Sequence, residues 1–363
     1  MSISIEIKSE KPSVNLLLSD DQKMLYCSNS YHKFLLTLLP DADFFYVWLC
    51  ENSSLVGYIP IVVQKVRFGK VANSLPFFGS HGGVISVNQI SESLAASLVE
   101  FLEDWTHREA ITSFTIVENP TFDQPHFWRK FESGTKIFRA FSDQRLSQIT
   151  HLPRLGGDED IDEKMLSLFH SKTRNMVRKS LRQGFSVQED NSLQAFQELY
   201  QLHCQNMEEI GGKPKSWNVF EQIRNNFVAG QEFQIYRAKT NDGNTAGMLL
   251  LLFASKYVEY FTPVISPVNR SAQPMSFLIY SAMKSAVLGN QFRYWNWGGT
   301  WLSQDGVYRF KKRWGAQEKK YRYISWVRKS QCEDIVKNLD TYIQQTPFFY
   351  ICPKAISESE IAD

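Results

Sequence analysis

The chain has 363 residues, 43% of them hydrophobic and 14% aromatic, which is enough for two domains that each bury a core. Lys and Arg number 40 against 38 Asp and Glu, so the net charge of +2 gives no ground to expect DNA, and an anionic partner must be read from local clusters. The five scattered cysteines form no C-x-x-C pair and the seven histidines no H-x-x-x-H, which argues against a disulfide framework and a metal site and suits a reducing cytoplasm.

The opening residues MSISIEIKSEKPSV lack the charged and apolar regions of a signal peptide, and the longest strongly apolar run, 246–254, falls short of the roughly 20 residues of a membrane helix. FFYVWLC (44–50), the turn ENSS and LVGYIPIVVQKV (55–66) predict a β-hairpin. SLPFFGSHGGVIS (74–86) follows, in which Gly79, Gly82 and Gly83 permit unusual backbone angles or the close approach of another group. Leu94, Leu98, Phe101, Leu102 and Trp105 repeat at helical spacing over 91–107, and 111–117 reads as a strand. The looser segment ITHLPRLGGDED (149–160) is the candidate linker, dividing the chain into lobes 1–150 and 151–363.

Helical patterning then runs from Ile161 to Phe227, broken at Gly184 and at GGKPKS (211–216), with Ser192 and Ser216 in N-cap positions. Residues 233–239, 245–253 and 257–264 predict a three-stranded meander whose first turn is NDGN. A helix over 274–288, a strand at 292–297, a helix over 305–313 and a strand at 319–327 complete the second lobe.

That order of elements resembles the acyltransferase fold called GNAT. KTRNMVRKSLRQGFSV (172–187), DGNTAGMLLLLF (242–253), SPVNRSAQPMSFLIYSAM (266–283), YWNWGG (294–299) and GVYRFKKRWG (306–315) come in the order of the motifs of the Fem-type and BioF2-like branch, in which two GNAT lobes are fused. SLPFFGSHGGVIS is similar to the Gly-rich segment of that branch's first lobe, so the resemblance covers about 44–326. It implies an α/β (α+β) fold of tandem GNAT-like lobes with central mixed, mostly antiparallel sheets. Two departures stand out: Asn296 occupies a position where many relatives show Asp, and there is no long coiled-coil insertion, which weakens a specific assignment to peptidoglycan.

The chemistry implied is transfer of an acyl group to an amine through a tetrahedral oxyanion, which a fixed cation or hydrogen-bond donor stabilises. By resemblance, Phe310 and Lys311 are associated with the donor and the transition state, with Trp297, Gly298 and Gly299 lining the cleft beside Gly82 and Gly83 of the first lobe. Spacing alone would read Lys311, Lys312 and Arg313 as a solvated helix face. Replacing Lys311 by Ala is expected to cut turnover and leave the thermal midpoint nearly unchanged. Arg174, Arg178 and Arg182, at steps of four, form a cationic stripe suited to carrier phosphates, or else the outer face of an ordinary amphipathic helix. Asn269 and Arg270 precede a helix with Pro274 in its first turn, whose N-terminus suits a phosphate; the alternative is a plain loop. Candidates for the base that takes the amine proton are Glu259, Asp305 and His81, although water can serve.

The sequence therefore predicts an N-acyltransferase with acyl-CoA as co-substrate, no permanently bound cofactor and an amine on a small metabolite as acceptor, an amino sugar or another cell-envelope precursor. Aminoacyl-tRNA is the alternative donor, acting on a cell-wall precursor. A non-catalytic module that binds nucleic acid or another anion is the rival of a different class.

Overall fold

In the computed structural model, which describes residues 2–13, 18–67, 69–77, 81–156 and 159–354, the chain begins with β1 (Ile3–Lys8), α1 (Asn29–Leu38), β2 (Ala42–Glu51), β3 (Ser54–Val66), β4 (Gly69–Asn73) and β5 (Ile85–Ser86). Next come α2 (Glu92–Arg108), β6 (Ile111–Val117), α3 (Pro125–Phe131), β7 (Phe138–His151), α4 (Ile161–Leu168), α5 (Ser171–Leu181) and β8 (Ser186–Glu189). Helices α6 (Leu193–Glu209) and α7 (Trp217–Asn226) precede β9 (Phe233–Lys239), β10 (Thr245–Ala254), β11 (Tyr257–Ile265) and α8 (Pro274–Leu288). The chain closes with β12 (Tyr294–Trp301), α9 (Asp305–Arg313), β13 (Gln317–Arg328), α10 (Cys332–Lys337) and α11 (Leu339–Gln345). Packing sorts these into two units, one of Met1–Cys27, Leu39–Arg145 and Lys320–Asp363, the other of Ser28–Leu38 and Leu146–Lys319.

In the first unit the strands run β1-β2-β3-β4-β6-β13, antiparallel except for the parallel pair β4 and β6. All seven residues of β6 are buried, as a strand covered on both faces requires. Helix α2 opens on Ser91, whose hydroxyl accepts from Leu94 N, and lays Leu94, Leu98 and Leu102 on a core that includes Phe114 and Trp326. Trp326 stacks on Phe131 at 4.2 Å and satisfies its ring N–H on the Phe131 carbonyl at 2.7 Å.

In the second unit β8 to β12 run in the order β12-β11-β10-β9-β8. The meander β9-β10-β11 is antiparallel, with the turn at Asp242 and Gly243 joining its first two strands. Helix α8 is buried over most of its length because it lies between α5 and the sheet strands β9 to β11. Helix α6 is capped as its sequence predicts, with the Ser192 hydroxyl accepting from Ala195 N. Helix α1 packs on α7, where Asn226 Nδ2 donates to Thr37 Oγ1 at 2.8 Å.

Candidate active site

Strands β11 and β12 pair in parallel over only three rungs, Tyr257 with Tyr294, Val258 with Trp295 and Glu259 with Asn296. The register of β10 against β11 slips at the same level: Leu251 faces Tyr260 and Leu250 faces Thr262, so Phe261 is an extra residue, a β-bulge. A bulge bends its strand and sharpens the twist, so β11 turns away and leaves its last residues without a partner in β12. The branch point is locked by polar contacts. Asn296 Nδ2 donates to both carboxylate oxygens of the buried Glu259, at 3.1 and 2.8 Å, while Asn296 Oδ1 accepts from Gly298 N at 3.0 Å. Gly298 holds a φ of +72°, which a side chain would strain, and this starts the departure of β12.

Helix α9 packs back on that departing segment. Its Lys311 is buried, and Nζ donates to Gly298 O at 3.2 Å, Gly299 O at 3.1 Å and Thr300 Oγ1 at 2.8 Å. These contacts use all three N–H bonds of the ammonium. Burial pulls Lys311 down to about 8. The Thr300 hydroxyl donates to Gln148 Oε1 at 2.8 Å, and Gln148 Nε2 donates to Tyr308 O at 3.1 Å, closing a loop through β7, β12 and α9. A second chain runs from Trp297 Nε1 to Thr150 Oγ1 at 2.9 Å and on to Trp314 O at 3.1 Å. Lys312, one residue on, points outward to Glu318 at 3.0 Å.

Beside the free half of β11 lies a cavity of about 640 Å³ walled by Tyr260, Pro263 and Ile265, by Thr173 and Met176 of α5, by the start of α8 and by Gly306, Arg309, Phe310 and Arg313 of α9. Asn206 clamps its rim, bonding both the N–H and the carbonyl of Ile265 at 2.8 Å. Three features suit this cavity to an oxyanion. Helix α8 is preceded by the left-handed N-cap Gln273, which makes no side-chain cap bond, and starts with Pro274, so the positive end of its dipole carries no side-chain cap. Arg309 and Arg313, one helical turn apart, make no ion pair among the described residues. The Thr173 hydroxyl is fully buried and finds no hydrogen-bond partner among them.

Residues 171–312, which supply most of these walls, match the family model described as an acetyltransferase (GNAT) domain. The chain carries a GNAT acyltransferase domain. Around it the fold is shared with FemX. FemX superposes with a TM-score of 0.67 at 14% identity over 89% of this chain and 97% of that one. The C-terminal domain of a putative lysylphosphatidylglycerol synthetase from Agrobacterium fabrum gives 0.53 at 12% identity, covering 93% and 96%. A further structure, L-PGS from Bacillus licheniformis, gives 0.52 at 14%, covering 85% and 90%. Among curated proteins none matches the sequence.

Within the GNAT domain, the structure brings together Glu259, Trp297, Gly298, Gly299, Phe310 and Lys311 around the branch of β11 and β12, with Phe310 edge-on to Trp297 at 5.8 Å. Of the cationic stripe, Arg174 turns back to donate to Phe169 O at 2.8 Å, while Arg178 and Arg182 are exposed on the outer face of α5; it is Thr173 and Met176 from that helix that reach the cavity. Asn269 and Arg270 sit in the 3-10 turn Pro267–Ala272 ahead of α8, and Arg270 pairs with Glu209 rather than lining the cavity. Asp305 is the exposed first residue of α9, where a carboxylate meets the helix dipole. His81, Gly82 and Gly83 belong to the first unit. His81 is buried edge-on to Tyr26 and Tyr321, and burial drives its imidazole down to about 3. A Cβ on Gly82 would fall 1.5 Å from Ser74 O, so the close approach there is of the chain's own backbone. Gly79 lies outside the described residues. Arg309, Thr173 and Asn206 are site residues not named from sequence, and Arg313, which spacing groups with a solvated face, lines the cavity; its repeat with Arg309 at four residues is the available signal.

No helix among the described residues is long and apolar enough to cross a membrane.

Proposed function

We propose that this acyltransferase moves an acyl group from a phosphate-bearing carrier, acyl-CoA by preference, to an amine on a small cell-envelope precursor such as an amino sugar. The carrying observation is the cavity that gathers two arginines without an ion pair and a threonine hydroxyl without a hydrogen-bond partner among the described residues, beside a helix N-terminus that has no side-chain cap. Beside the part of β11 that β12 leaves uncovered past Glu259, the phosphates are met by the N–H groups of α8 and the guanidinium forks of α9. The amine attacks the acyl carbon, the tetrahedral oxyanion collapses, the carrier leaves as its thiolate, and the amine proton passes to water or to the thiolate. Lys311 acts in this reading as a positioning residue: its three N–H bonds hold Gly298, Gly299 and Thr300 where β12 meets the acyl group. One structural neighbour is a domain of a putative lysylphosphatidylglycerol synthetase, in keeping with an envelope acceptor. Calorimetric titration of CoA and acetyl-CoA tests the reading. Binding should be saturable and should weaken about tenfold on loss of one phosphate-binding fork in Arg313→Ala; wild-type protein that binds neither compound refutes it.

A second reading, aminoacyl-tRNA as donor, is favoured by α5, where Lys172, Arg174, Arg178, Lys179 and Arg182 occur without an acidic residue between them on a helix that also walls the cavity. RNA retained by the purified protein, and transfer abolished by ribonuclease, would select it.

A further inference from the structure

The loop between α6 and α7 is tied to β11 on a second side, away from the cavity. Its Lys215 donates its backbone N–H to His203 Nε2 at 3.0 Å, so that ring nitrogen is an acceptor. Burial, and then the charge of Lys215, hold His203 down to about 4, which leaves it neutral. The Lys215 side chain passes over the Phe261 ring, Nζ lying 5.2 Å from its centre, and ends 3.5 Å from the buried Thr262 Oγ1. No carboxylate among the described residues pairs with it, and desolvation brings it down to about 8.

An ammonium held in apolar surroundings by one long hydroxyl contact and one ring is incompletely satisfied. Pro214 before it and the His203 bond behind it fix where the loop presents it. Phe261 is the bulged residue at which β11 leaves β12, and the residues that flank Phe261 and Thr262, Tyr260 and Pro263, wall the donor cavity, of which Lys215 is not a lining residue. With a strand rise of roughly 3.3 Å per residue, the ammonium is one or two residues of strand from that cavity and outside it.

We infer that Lys215, with Thr262 and the Phe261 ring, forms a second oxyanion site, which takes a carboxylate or phosphate group of the acceptor while its amine reaches the acyl group across the branch of β11 and β12. The anion-binding site stands on its own geometry; its assignment to the acceptor rests on the acyl-transfer reading above.

The experiment uses full-length protein carrying ¹³C-labelled lysine, with the Lys215 ε-methylene resonance assigned by its absence in Lys215→Arg. Inorganic phosphate and acetate are titrated separately. One or both should move that resonance saturably, and the more effective of the two names the oxyanion. Phosphate binding followed by calorimetry should weaken about tenfold or more in Lys215→Met, as expected for loss of a charge-assisted partner, and should be retained in large part in Lys215→Arg. No shift with either anion, or equal binding by the Met variant, overturns the site. Arg313→Ala should leave the response unchanged; if CoA fails to bind while Lys215 still responds, the acceptor assignment falls and the anion site remains.

Discussion

Lys311 can be tested through the pH dependence of stability. Burial lowers its pKa from 10.5 to about 8 in the folded chain, so between those values the unfolded chain binds the extra proton. A group depressed in this way opposes folding at low pH and stops doing so as pH rises through the window. The shift of 10.5 − 8 = 2.5 corresponds to about 3 kcal/mol at neutral pH, and about 2 kcal/mol of this should be recovered between roughly pH 7 and pH 9.5. Lys311→Met removes the titration and leaves two carbonyls and Thr300 without their donor. Lys215 is also lowered to about 8, but it is present in both proteins and cancels in the difference. Urea unfolding at a series of pH values should therefore show the stability gap between wild type and Lys311→Met widening by about 2 kcal/mol toward alkaline pH. A constant gap would mean that the ammonium is solvated and would refute the buried network. The same network changes what is expected of Lys311→Ala. With three hydrogen bonds inside the fold, its loss should lower the thermal midpoint as well as turnover.

Arg309→Ala and Arg313→Ala should each raise the KM for the acyl donor with a smaller effect on kcat, and the penalty should shrink in high salt, as steady-state kinetics at two ionic strengths would show. Asn296→Asp sets a carboxylate where Asn296 now donates to Glu259, so stability near pH 7 should fall by about 2 kcal/mol; since this raises the folded pKa of the pair, the deficit should shrink as pH falls, measurable by thermal melts. Gly298→Ala meets no atom within 4 Å but must hold φ +72°, so its cost should be backbone strain alone, about 1 kcal/mol by chemical denaturation.

The elements of the second unit were largely legible because their boundaries carry strong local chemistry. Pro274 at N1 and a continuous apolar run define α8 as Pro274–Leu288, and the Asp-Gly turn defines the β9 and β10 hairpin. Strand β12 runs on to Trp301, past the expected end at Trp297, because hydrogen bonding continues through the Gly pair. The expected linker begins inside β7, which reaches His151; Thr150, near the start of that Pro- and Gly-containing stretch, is a buried partner of Trp297. The bulge at Phe261 had no sequence mark, since it is set by pairing with β10. In the site, the motif pointed to Lys311, but whether that amine faces ligand or backbone depends on how α9 docks, and so does the choice of Arg309 and Arg313 over the longer arginine stripe of α5.

The clasp of Glu259, Asn296 and Gly298 has a kinetic consequence. Because the bulge at Phe261 and the positive φ of Gly298 already part the two strands beyond the rung that Glu259 and Asn296 tie, a donor bound as proposed would displace no backbone pairing, and no ordering cost is deferred to the moment of capture. Association should then proceed as a single concentration-dependent step at an ordinary diffusive rate, without a slow opening phase. Loosening the clasp would free the last shared rung, turning a slot of fixed width into one whose width must be set again at each turnover.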